Sequence, residues 1–137
     1  MREIRFVAKN TYNRMYNQHF IFSALAPRAQ LGTCNVNISR DVAYLNYLYV
    51  KPVFRNRHIG SSLLKYTEDF LWNNNNVSFI NLHVLSDSSN YLEDFYIKNN
   101  YNIINKIDNA YDDGENIFDM IHMNKIKDMD NNDDACL

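Results

Sequence analysis

The chain has 137 residues, 46% of them hydrophobic and 22% charged, with a formal net charge of −2. That length holds one domain with a single core, and the composition is that of a globular chain, not a disordered or membrane one. The balance of charge and the lack of a Lys/Arg stripe exclude a nucleic-acid-binding surface, and no run of about twenty apolar residues is present to span a bilayer.

The amino end, Met1 to Lys9, is charged and has no apolar secretory stretch, so a cytoplasmic setting is the default expectation. Residues 1 to 18 have room for one strand or one short helix. Alternating apolar, β-branched and aromatic residues predict strands near His19 to Leu25, Gly32 to Ile38, Val42 to Val50, Val77 to Val84, Tyr101 to Ile107 and Ile117 to Met123. Helical spacing of Leu63, Leu64, Phe70 and Leu71 predicts a helix over about 59–72, ended by the run Asn73 to Asn76. A second helix is predicted over about 90–99, with Leu92, Phe95 and Tyr96 inward and Asn100 as a left-handed cap. This order describes an α/β fold, a mixed sheet with helices packed on it. The domain is expected to occupy 1–126, and the acidic, Asn-rich segment 127–137 to be a disordered tail. Cys34 and Cys136 form neither a disulfide framework nor a metal-ligand spacing and are expected to be free thiols, so no metal is expected.

The stretch Leu48-Tyr49-Val50-Lys51-Pro52-Val53-Phe54-Arg55-Asn56-Arg57-His58-Ile59-Gly60-Ser61-Ser62 carries the most chemistry. A strand ends, Pro52 fixes a turn, a basic loop follows and a helix begins. Backbone N–H groups and the positive end of a helix dipole then converge as they do in pyrophosphate sites, with Arg55 and Arg57 adding charge. On residue types alone the same stretch also reads as a solvated basic turn.

Arg55, His58 and Gly60 fall where the GNAT acetyltransferases carry Arg or Gln, then Gly, then Gly or Ala in the coenzyme A loop, with His58 replacing the first glycine. Leu-x-Val-x-Pro before the loop, Gly-Ser-Ser-Leu-Leu after it, Leu82-His83-Val84 and Phe95-Tyr96-Ile97-Lys98 also resemble that family, over roughly residues 30 to 126. The resemblance implies a GNAT fold: a mostly antiparallel sheet whose strands at Val42–Val50 and Val77–Val84 splay apart, with flanking helices and a shortened front. It also implies acetyl-CoA as cosubstrate, pantetheine along Leu48, Tyr49 and Val50, pyrophosphate around 55–62 (Asn56, Ile59, Ser61 and Ser62 included), and direct attack by an amine with no covalent nucleophile. Tyr96 matches the tyrosine beside the departing sulfur, although by residue type alone it reads as a core aromatic on an amphipathic helix.

Tyr44 stands where many members carry a carboxylate base. Together with Leu82-His83-Val84 it resembles the protein N-terminal acetyltransferases of the NatE catalytic-subunit type, in which a tyrosine and a histidine deprotonate the amine through ordered water. Asn109-Ala110-Tyr111 and Asp113-Gly114-Glu115-Asn116 are similar to the hairpin of those enzymes. This implies a substrate-peptide contact for Tyr111, a residue that otherwise reads as sheet cover. The expected function is acetyl transfer to a protein or peptide α-amine, whose pKa of about 7.7–8.0 leaves roughly a tenth neutral near pH 7, against well under a thousandth for lysine. An auxiliary acetyltransferase subunit is an allowed partner. The alternatives are a small-amine acetyltransferase, for a polyamine or amino sugar, and a catalytically decayed coenzyme-A-binding subunit.

Overall fold

The computed structural model describes residues 3–86 and 91–127. The elements in chain order are β1 (Arg5–Arg14), β2 (Asn17–Ala26), β3 (Ala29–Ser39), β4 (Val42–Val50), α1 (Ile59–Asn74), β5 (Phe79–Ser86), α2 (Tyr91–Lys98), β6 (Asn102–Asp112) and β7 (Ile117–Ile126). The strands form one sheet in the order β1-β2-β3-β4-β5-β7-β6, antiparallel except where β4 meets β5. This is the expected mixed, mostly antiparallel sheet. The front resolves to a single strand that returns through Met15 and Tyr16 as a hairpin, Tyr16 taking the left-handed backbone that such a turn demands. No helix stands between β1 and β2.

Phe22, Cys34, Val36, Ala43, Ile80, Ile121 and Met123 are fully buried on one face of the sheet. Alpha-1 packs there through Leu63, Leu64 and Leu71, and the rings of Tyr66 and Phe70 meet Phe22 with centroids 6.1 Å and 5.2 Å apart. On α2, Tyr96 lies near the Cys34 thiol, which puts both helices on the same face. Leu92 departs from the expected inward set: it is exposed, because only Tyr96 and part of Phe95 reach the core from so short a helix. The opposite face carries no helix among the described residues. As expected, α1 ends in the Asn run and Asn100 is left-handed, with φ 72. Lys127, placed by the sequence in the tail, is instead tied down: its N–H bonds to the Ser78 carbonyl and its ammonium to that of Trp72. The rest of the expected tail, Cys136 included, lies outside the described residues.

Gly32, opposite Val50, fixes how closely β3 and β4 approach: a Cβ there would lie 2.6 Å from the Tyr49 carbonyl oxygen. That oxygen is backbone and cannot swing aside. Gly32→Ala is therefore expected to destabilise the fold by about 1–3 kcal/mol in denaturant unfolding. A variant as stable as the parent would show that β4 shifts freely.

Candidate active site

Beta-4 and β5 pair in parallel only through Val42–Leu45 and Phe79–Leu82. The next residue of β4, Asn46, is a bulge: Asn35 and Val36 are adjacent on β3, yet their partners are Tyr47 and Leu45. A bulge bends its strand. Beyond it β4 stays with β3 while β5 stays with β7, and a wedge opens between them. A groove of about 870 Å³ lies against the freed end of β4, walled by Leu48, Tyr49 and Val50, by Phe54 to Asn56 and His58 to Ser61, and by Leu92, Phe95 and Tyr96 of α2.

The turn that closes the groove follows from its residues. Pro52 opens a single 3₁₀ turn through Phe54, and Asn56 and His58 are left-handed, with φ 63 and 61. The first helical hydrogen bond of α1 runs from Ser62 N–H to the His58 carbonyl. The N–H groups of Ile59, Gly60 and Ser61 are thus left over at the positive end of a 16-residue helix, facing the groove. A Cβ on Gly60 would meet Phe95 Cζ and Val50 Cγ2 at 3.6 Å, which is ordinary contact, so this glycine keeps room in the groove instead of avoiding a clash. At His58 the backbone itself favours glycine, since a left-handed residue with a Cβ costs roughly 1–2 kcal/mol. Its side chain makes no cap bond and lines the groove. Arg55 is partly occupied: its Nε donates to the Val50 carbonyl at 2.8 Å and its guanidinium lies 5.5 Å from the Tyr49 ring centre. Arg57 and Ser62 do not line the groove.

Tyr96 forms the inner wall, its ring edge-on to Phe95 and Tyr101 at 5.1 Å and 5.5 Å. Burial, and secondarily the Cys34 thiol, raises its pKa far above the ordinary phenol value, so it stays a neutral donor. Burial also pushes Cys34 up to about 12, an effect the Thr67 hydroxyl only partly offsets. It is a protonated thiol and a poor nucleophile.

The second cluster lies on the helix-free face. Tyr44 stands opposite Asn81, and His83 follows two residues along β5 on the same side, at the mouth of the wedge. Tyr44 is 42% exposed. His83 has its pKa lowered, by desolvation first and by the neighbouring His122 second. Tyr111 sits further out, paired with Phe118 where β6 and β7 turn. Asp113 braces that turn by accepting from the N–H groups of Glu115 and Asn116 at 2.9 Å and 2.7 Å, and these bonds hold its carboxyl below the usual range. The fold thus puts Tyr44 and His83 on one face of the sheet and Tyr96 on the other. His122 was not singled out from sequence. His122 shares a period-2 face with Phe118 and Met120, a signal readable only once the pairing of β7 with β5 is known. Among the described residues no cluster of His, Cys, Asp or Glu could hold a metal.

Residues 3–101 match the Acetyltransferase (GNAT) family, and the chain belongs to it. It is therefore an acetyl-CoA-dependent acetyltransferase, and the free N–H groups, the helix dipole and the open wedge suit an elongated pyrophosphate-bearing thioester.

Solved structures with the same fold include the ribosomal-protein-S18-alanine N-acetyltransferase of Escherichia coli, at 21% identity and TM-score 0.72, covering 81% of this chain and 70% of that one. A GNAT family acetyltransferase from Elizabethkingia anophelis with acetyl-CoA bound superposes at TM-score 0.71 and 14% identity, over 90% of this chain and 98% of that one. Arabidopsis thaliana Naa50, in complex with the bisubstrate analogue CoA-Ac-MVNAL, matches at TM-score 0.65 and 24% identity over 78% and 72% of the two chains. No curated protein sequence matches the chain significantly.

Proposed function

We propose that the protein acetylates the α-amino group of a protein or peptide N-terminus, in the manner of the NatE-type enzymes. The observation that carries this reading is the pair Tyr44 and His83 on the open face at the mouth of the wedge, directly across the sheet from the groove. The surroundings of His83 support it: desolvation first, and His122 second, hold its pKa below the ordinary histidine value, so the ring is neutral at physiological pH and can accept a proton. The α-amine needs only such a mild base, because part of it is already neutral. Two of the neighbours of like fold act, by their names, on a protein alanine or bind a peptide-bearing analogue.

In this reading acetyl-CoA lies in the groove with its pyrophosphate at the N–H groups of residues 59–61 and near Arg55, and its acyl end in the wedge. A water between Tyr44 and His83 takes the proton of the amine. The C–N bond forms as the amine attacks the thioester carbonyl, whose developing charge falls to the backbone N–H groups of β4 around Leu48 and Val50. The C–S bond then breaks, and the neutral Tyr96 phenol hydrogen-bonds or protonates the departing thiolate. Tyr111 lies along the path of the peptide backbone, and residues 1–126 act as one catalytic domain.

Activity profiling of N-terminal peptides against free polyamines and amino sugars, with acetyl-CoA, tests the acceptor. Turnover of the free amines with no peptide preference would overturn it. The groove has its own test. Acetyl-CoA at about 100 times its Kd is expected to stabilise the fold by about 2.7 kcal/mol, and Gly60→Leu, which fills the space beside Phe95, is expected to abolish the shift. An unchanged Tm in the parent protein at saturating ligand would mean that acetyl-CoA does not bind, and a shift kept in Gly60→Leu would place the thioester elsewhere.

A further inference from the structure

We propose that His122 is a positioning residue for the base: stacked ring to ring on His83, it fixes the plane of that imidazole, and the two rings share at most one proton. This deepens the reading of His83 as base and rests on it. His83 and His122 are direct cross-strand partners on β5 and β7, with centroids 4.3 Å apart and planes 16° from parallel. Two stacked imidazolium ions at that distance repel, so the first proton taken by the pair opposes the second. His122 Nε2 is enclosed and has no hydrogen-bond partner among the described residues, so the stack, and not a bond at that atom, holds the ring.

Among the described residues, His122 is the one basic side chain facing His83. On its own strand Asn81 and Leu85 flank it, and on β7 Met120 and Asn124 flank His122. Asn105 of β6 lies opposite His122, and on the β4 side the titratable groups are the phenols Tyr44 and Tyr47. Both helices are on the far face. The lowered pKa of His83 agrees with this arrangement, although desolvation is its larger cause.

The test is an NMR titration of the histidines in the parent protein and in His122→Phe, which keeps a flat ring in the stack and removes its charge. The pH profile of kcat/KM for a peptide substrate is measured alongside. The His83 midpoint is expected to rise in the variant by on the order of half a pH unit, the size of a like-charge interaction at this separation near water. The acidic limb should move up with it while the plateau at higher pH is kept. His122→Gln, which loses both charge and stack, should raise the midpoint and also lower the plateau, and it serves if the Phe variant does not fold. A His83 midpoint unmoved in the folded variants overturns the proposal. If the midpoint moves and the limb does not, the coupled pair stands, and it is the reading of His83 as base that falls.

Discussion

His83→Ala is expected to lower kcat/KM for peptide acetylation by roughly a hundredfold or more, the scale of a lost general base. Tyr44→Phe is expected to lower it in the same sense. The two side chains lie on one face, two residues apart in strand register, and in the proposed reaction they hold a single water. Losing either breaks the same relay, so the double variant should be little worse than the worse single one. The pH profile has a definite sign. His83 must be neutral to accept a proton, so activity falls as pH drops through its pKa, at a pH below the ordinary histidine value. His83→Ala should remove that acidic limb, and a substrate of different amine pKa separates the enzyme limb from one owned by the amine. If both variants fold and acetylate peptides as the parent does, the two residues are strand packing and the base lies elsewhere.

The largest expected loss of stability is at Lys125, and it is removed from the chemistry. Glu68 of α1 is buried against the sheet, where it accepts from Lys125 Nζ at 2.7 Å and from the Tyr101 hydroxyl at 2.8 Å. Lys125 also donates to the Asn99 carbonyl at 3.1 Å, so a single ammonium ties α1, the end of α2 and β7 together. Lys125→Met leaves an unpaired carboxylate in the core and is expected to cost about 3 kcal/mol at neutral pH. Glu68→Leu added to it should return part of that, because no charge is left to desolvate, although the buried Tyr101 hydroxyl loses its acceptor. Denaturant unfolding of the two variants decides the matter, and a Lys125→Met protein as stable as the parent would mean that Glu68 is solvated. Tyr101 adds an alkaline dependence. Burial, then the Glu68 charge, raises its folded pKa, so the unfolded chain loses this proton first and stability falls as pH climbs past about 10.

Local pattern determined most of the elements. The alternation of Phe20, Phe22 and Ala24, and of Ile80, Leu82 and Val84, carries strand period and burial together, because each residue on that face has the same core to enter. The spacing from Leu63 to Leu71 likewise defines α1, and the turn at Pro52 with Arg55, His58 and Gly60 displays in the sequence the pattern of the proposed coenzyme A loop. Leu92 shows where such reading stops. It has the right period and the right residue type, yet it is exposed, since the eight residues of α2 bury only what the neighbouring strands leave room for.

Tertiary structure alone decided the rest of the site. The strand gap depends on Asn46 being an extra residue against β3, a fact of register between strands that an isolated strand does not encode. The same holds for Arg55, whose turn the sequence marks but whose bond to the Val50 carbonyl depends on how the loop folds back. His83 and His122 are 39 positions apart in the chain, and only the antiparallel pairing of β5 with β7 stacks one on the other. Residue types and their period are local properties, and so the sequence displays them directly. Which strand lies beside which, and in what register, is set by the shared core, and that is where His83 and His122 are brought together.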